Sequence, residues 1–179
     1  MEYAVLGWPP DGPKLRLDHE QFSYAGKFVM TNTGKAVARE RVDGEDRLVA
    51  AVAFNEDRTD ADALWLRYIT VHKDNRGEGI GPRLARFVAV RARDRGYDTV
   101  KIGVNNPFAF EALYRAGFGY TGEQTGVAEL VLAFPSARSP DAYRAGLDVY
   151  RERDLSDAEE TFLAERTEST PPRVVDVPQ

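Results

Sequence analysis

The stretch LWLRYITVHKDNRGEGIGPRLARFV, residues 64 to 88, admits few folds. Its first nine residues are largely apolar on both faces, which suits a strand covered on both sides in the middle of a sheet. Leu84, Phe87 and Val88 then recur at helical spacing, with Arg83, Arg86 and Arg93 largely on the other side. Pro82 sits where the first helical turn is expected, and Gly96 supplies a C-terminal stop. Between strand and helix stand three glycines within five positions, Gly77, Gly79 and Gly81. Each loses more conformational freedom on folding than any other residue, so this junction has a use for bare backbone. A phosphate group is the usual reason.

The remaining segments build around that unit. EYAVLGW (2–8) reads as a short strand ended by the Pro9-Pro10-Asp11-Gly12 turn. Residues 18 to 33 give no clear period: Asp18 is placed to cap a short helix carrying Phe22, Tyr24 and Phe28, but Gly26 and the TNTG run break it early. Lys35–Val42 and Leu48–Phe54 form the arms of a hairpin around Asp43-Gly44. After the glycine loop and its helix come a strand, TVKIGV (99–104), a helix over roughly 107–116 stopped by Gly117, and a buried strand, GVAELVLAF (126–134). The predicted fold is α/β: a mixed, mostly antiparallel sheet with a central parallel strand pair at the glycine loop and flanking helices. The expected domain covers 1–134. Residues 135–179 change composition and read as a charged, helical extension with a loose tail, and Ser156 followed by Glu159 matches a capping box.

Charge and composition narrow the partners. A net charge of −5 argues against general nucleic-acid binding. No apolar run approaches the ~20 residues of a membrane span, and the N-terminus has no secretory pattern. With Cys 0 there is no disulfide or thiolate chemistry, which fits a cytoplasmic location. Only His19 and His72 are present, and no His/Asp/Glu cluster has metal-ligand spacing, so no metal is expected.

Three phosphate loops compete for the glycines. A nucleotide P-loop requires Gly-Lys-Ser/Thr, whereas this loop ends Gly81-Pro82-Arg83. A dinucleotide fingerprint requires glycines directly after the strand and an acid closing the next one; here His72 to Asn75 intervene and Asn105 stands at the acidic place. The third form, Arg76-Gly77-Glu78-Gly79-Ile80-Gly81 after Ile69-Thr70-Val71, resembles the acetyl-CoA-binding motif of the GNAT superfamily of N-acetyltransferases, Arg/Gln-x-x-Gly-x-Gly/Ala. NNPFAFEALYRAGF (105–118) is similar to that family's later helix, with Asn106 and Ala109 matching its start and Gly117-Phe118 its end. The resemblance covers roughly 35–134, 1–34 only poorly, and 135–179 not at all.

The resemblance implies acetyl-CoA as co-substrate and direct attack by an amine, in a small molecule or a peptide. Its pyrophosphate falls to the amides of Gly77, Glu78, Gly79, Ile80 and Gly81, with Arg76 beside them. The backbone of Ile69, Thr70 and Val71 takes the pantetheine and supplies an N–H to the developing oxyanion. Asn106 contacts the pantetheine or simply caps its helix. Tyr114 is the implied donor of a proton to the departing thiolate, but it lies three residues before Gly117 where the family pattern has four. One residue is ~100° of helix rotation, so either the helix shifts or Tyr114 packs elsewhere. His72 is a candidate base through water; His19, Glu20, Tyr24 and Tyr68 fall on the acceptor side. That side is short of helices, open, or completed by the extension or by a second subunit, and a homodimer is compatible with it. The competing class is a CoA or acyl-CoA sensor that binds without turnover; transfer to a hydroxyl is a third course.

Overall fold

The computed structural model describes all 179 residues. Seven strands share one sheet in the order β1-β2-β3-β4-β5-β7-β6, mostly antiparallel with one parallel pair, and four α-helices accompany it. The chain divides into two compact units, Met1–Val100 with Asp176–Gln179, and Lys101–Val175. No helix is long and apolar enough to cross a membrane.

In the first unit β1 (Glu2–Gly7), β2 (Gly34–Val42), β3 (Glu45–Glu56) and β4 (Ala63–Val71) pair antiparallel in chain order. The Asp43-Gly44 turn takes positive φ at both residues, as a tight hairpin requires. The helix α1 (Ile80–Arg95) lies on one sheet face, burying Leu84, Phe87, Val88 and three alanines. Alanines at 36, 38, 50, 51 and 53 keep the central strands slim, and all five are fully buried. The opposite face is covered not by an α-helix but by irregular chain and a short 3-10 turn, Ala25–Val29. Phe28, Leu15 and Leu17 seat on Val37, Ala51 and Ala53 there, and burying Phe28 alone contributes roughly 2–3 kcal/mol. Asp18 caps no helix; its Oδ1 accepts from Glu20 N at 2.9 Å in a local turn. Lys35, fully buried, pins the end of this segment by donating to Met30 O, Thr33 O and Thr33 Oγ1 at 2.7–2.9 Å.

The helix α1 begins two residues before Pro82, with Gly79 as its N-cap. Proline at the third position costs no hydrogen bond, because the first four N–H groups of a helix have no internal acceptor. Gly96 ends the helix as expected, at φ 112°.

The second unit holds most of β5 (Thr99–Val104), then α2 (Pro107–Arg115), β6 (Gly119–Thr125), β7 (Glu129–Phe134), α3 (Pro140–Arg151) and α4 (Asp157–Ala164). The strand β6, GYTGEQT, is absent from the sequence expectation. It carries two glycines and mostly exposed polar residues, so no alternating apolar pattern marks it. Its partner β7 is the shorter core of the expected 126–134 strand. Ser156 and Glu159 form the anticipated capping box at the start of α4. Phe110 of α2 is the hub of an aromatic cluster with Tyr114, Tyr120, Tyr143 and Tyr150, at centroid distances of 4.9–6.1 Å. Gly146 lets α3 close on it: a Cβ there would stand 2.3 Å from Phe110 Cζ.

Candidate active site

The glycine loop turns by left-handed bends at Gly77 (φ 83°) and Gly79 (φ 78°), conformations that cost other residues about 1–2 kcal/mol. No protein acceptor takes the N–H of Gly77, Glu78, Gly79, Ile80 or Gly81; the first bond beyond them runs from Arg83 N to Gly79 O. A Cβ at Gly77 would point into open space, with no atom within 4 Å. Five consecutive free donors at the positive end of a 16-residue helix make an anion cradle. The helix N-terminus lies against β4 at Gly81, where a Cβ would stand in ordinary contact, 3.5 Å from Val71 Cγ2.

The side chains around the loop brace it from outside. Arg47 donates to Asn75 Oδ1 at 2.9 Å, and Asn75 donates to Glu78 Oε2 at 3.1 Å, which turns the Glu78 carboxylate back along the loop. Arg76 reaches Val71 O at 3.4 Å and Ser23 Oγ at 3.2 Å, tying the end of β4 to the segment before the 3-10 turn. Arg83, which sequence reasoning assigned only to the helix surface, folds its Nη1 onto Glu78 O at 3.0 Å. That atom stands 2.9 Å from where a Gly79 Cβ would be, so a guanidinium borders the cradle. His72 is buried against Phe22, and its Nδ1 accepts from Asp74 N at 3.1 Å. That nitrogen serves the turn, so any exchange with water of the kind expected from the sequence falls to Nε2.

On β4, Ile69, Thr70 and Val71 pair with Val52, Ala51 and Ala50. The register slips between Ala53 and Phe54, leaving Arg67 as an extra residue opposite them, the mark of a bulge. Thr70 is 4% exposed, and its Oγ1 has no hydrogen-bond partner. A buried hydroxyl left so costs about 1–3 kcal/mol, a cost that a ligand group can offset. Free loop amides, open space at Gly77 and this hydroxyl together fit a coenzyme bearing a diphosphate and an amide-rich arm.

Two expected site residues belong to the second unit. Asn106 caps α2, its Oδ1 accepting from Ala109 N at 2.8 Å. Tyr114, the expected proton donor, is turned into the core of this unit. It is fully buried, its hydroxyl accepts from Tyr120 N at 2.8 Å, and Tyr143 and Phe110 enclose its ring at 4.9 Å. Arg138 covers the other side, 5.5 Å from the ring centroid, and donates to Tyr114 O. Burial raises the phenol pKa above its ordinary value, and the Tyr120 N–H and Arg138 only partly oppose this. Leu113, which takes the usual tyrosine place when the motif is aligned without a gap, is buried as well.

The model of the acetyltransferase (GNAT) family matches residues 5–120, and the chain belongs to this family. No curated protein matches it. Among solved structures it is similar to an N-acetyltransferase from Staphylococcus aureus Mu50, at 18% identity over 57% of this chain and 67% of that one, TM-score 0.47. It is also similar to a Bacillus subtilis acetyltransferase in complex with CoA, at 17% identity over 56% and 75% of the two chains, TM-score 0.46. The paia N-acetyltransferase of Thermoplasma acidophilum, in complex with coenzyme A, matches at 17% identity over 55% and 58%, TM-score 0.45.

Proposed function

We propose that this protein is an N-acetyltransferase that moves the acetyl group of acetyl-CoA to an amine by direct attack. The observation that carries this is the run of five unpaired amides from Gly77 to Gly81 at the start of α1, immediately after β4. Those amides hold the diphosphate, and Arg83 adds positive charge at its edge. Arg76 acts from behind, fixing the loop to Val71 and Ser23. Ile69, Thr70 and Val71 present backbone, and in Thr70 a free hydroxyl, to the pantetheine arm. Asn106 keeps to its own unit here, capping α2 and donating to Asn105 Oδ1 at 3.3 Å.

The coenzyme, when bound, supplies a thioester activated toward amines. The amine nitrogen bonds to the carbonyl carbon as the carbon–sulfur bond breaks; the sulfur keeps the electron pair and takes up a proton, and the amine gives one up. With Tyr114 committed to the core, we assign both proton transfers to water. Backbone N–H groups of β4 stabilise the charge that develops on the carbonyl oxygen.

Gly77→Ala tests the reading. The added methyl meets no protein atom, so stability falls only by the strain of a left-handed alanine, about 1–2 kcal/mol. Acetyl-CoA affinity measured by calorimetry should fall at least about tenfold. Unchanged affinity would remove the cradle from the argument. The enclosed Tyr114 also favours a second reading, a sensor that binds acyl-CoA and transfers nothing. Thiol release across a panel of amines separates the two, because coenzyme binding without release from any amine selects the sensor.

A further inference from the structure

Thr70 and Tyr68, two residues apart, share the sheet face opposite α1. Beside Tyr68 a cavity of about 520 Å3 opens, walled by Trp65 of β4, Lys27 and Met30 at the 3-10 turn, and Arg58 between β3 and β4. It begins within two residues of the stretch that presents backbone to the thioester arm, roughly 7 Å along a strand.

The charges in this cavity are unequal in their commitments. Asp57 accepts from Thr59 N and Oγ1 at 2.9 Å and from the Trp65 indole at 2.6 Å. Glu56 accepts from the Tyr97 hydroxyl at 2.8 Å, and burial together with this bond pushes the Tyr97 phenol up to about 12, so it stays a donor. Arg67 donates to Asn55 Oδ1 at 2.6 Å and lies over the Trp65 ring. Lys27 and Arg58 have no such partner: no carboxylate or carbonyl pairs with either, and the Lys27 ammonium lies 5.6 Å from the centroid of the Tyr68 ring. Two uncommitted cations therefore face a space whose acids are already satisfied and whose inner wall is aromatic.

From this we infer that the acceptor is a small amine carrying an anionic group, its amine directed along β4 toward Ile69 and its acid toward Lys27 and Arg58, with the apolar body against Trp65. The inference rests on the acetyl-transfer reading of the site. It names the substrate class: a free amine bearing a carboxylate or an equivalent anion, as in an amino acid. A hydrophobic monoamine brings no group for the two cations, and a polyamine meets their repulsion.

The experiment uses the full chain and matched probe pairs that differ only in the carboxylate: L-phenylalanine against 2-phenylethylamine, L-methionine against 3-(methylthio)propylamine, and 4-aminobutyrate against propylamine. Binding is read by calorimetry with and without acetyl-CoA, so the result does not depend on turnover. In at least one pair the acid binds about tenfold or more tightly than its amine, the scale of one charge-assisted pair. That preference disappears in the Lys27→Ala/Arg58→Ala double variant while coenzyme affinity stays that of the wild type. If no acid outbinds its amine, or the preference survives in the double variant, the inference is wrong. Failure of acetyl-CoA itself to bind the wild type is a separate result and strikes the acetyl-transfer reading instead.

Discussion

Replacing Tyr114 by phenylalanine separates a tyrosine that packs from one that catalyses. The hydroxyl is fully buried and its oxygen accepts the Tyr120 N–H at 2.8 Å. Phenylalanine keeps the ring contacts with Phe110, Tyr143 and Arg138 and removes that acceptor, leaving a backbone N–H buried without a partner. The expected loss is about 1–3 kcal/mol. For a chain of this size that lowers the melting temperature by roughly 2–4 °C per kcal/mol, so roughly 2–12 °C in all. A general acid removed from the chemical step would instead reduce turnover by roughly a hundred- to ten-thousand-fold.

Thermal denaturation and thiol release on the same preparation therefore give opposite signatures. The packing role predicts a lower melting temperature with turnover per folded molecule within about twofold of wild type. A melting temperature equal to wild type together with a hundredfold loss of turnover would refute the reasoning. The pH dependence gives a second check. Burial raises the phenol pKa in the fold above its ordinary 10.0, so its stabilisation is complete below pH 10 and is lost as pH rises through the folded value. The gap between wild type and variant should then narrow at strongly alkaline pH.

Three further perturbations follow from the same structure. Gly146→Leu forces a side chain into the position where even a Cβ lies 2.3 Å from Phe110 Cζ; it should destabilise the second unit by about 1–3 kcal/mol or more, seen in urea unfolding. Arg166→Ala leaves the Glu111 carboxylate, 6% exposed, with only Arg115 at 3.4 Å; a loss of about 3 kcal/mol is expected, largely recovered by adding Glu111→Gln. Lys35→Met removes three buried hydrogen bonds, so Met30 and Thr33 lose their anchor and the melting temperature falls. Burial lowers the Lys35 pKa, so its contribution grows as pH rises toward 10.5 and is lost as pH falls through the folded value; the difference from Lys35→Met should widen as pH rises toward 10.5.

What the sequence made legible is what local chemistry dictates. Glycines at 77, 79 and 96 announce left-handed bends, Asp43-Gly44 announces a hairpin, and Ser156 with Glu159 announces a cap, because each works within a few residues of itself. The bare amides at the start of α1 were readable for the same reason. Hidden were features set by partners far along the chain. The strand β6 has no apolar alternation and exists because β7 pairs with it. The cavity cations Lys27 and Arg58 come from a 3-10 turn and a loop 31 residues apart, and nothing in either segment marks them as neighbours.

Tyr114 shows how the local and the distant meet. Its offset from Gly117 was visible, and so was the choice it posed; only the extension decides between the two courses. The helix α3 lays Gly146 over Phe110 and brings Tyr143 to 4.9 Å from the Tyr114 ring, while Arg138, just before α3, closes the remaining side and also donates to Pro172 O. Tyr150 completes the enclosure by donating to Val104 O at 2.9 Å. The residues beyond 135 therefore hold α2 in an aromatic shell that needs a phenol facing inward. A tyrosine one position earlier would lie about 100° around the helix and leave that shell without its hydroxyl acceptor for Tyr120. The offset and the extension are two halves of one packing arrangement, and a chain truncated before Ser139 should lose the order of α2 while keeping the glycine loop's hold on acetyl-CoA.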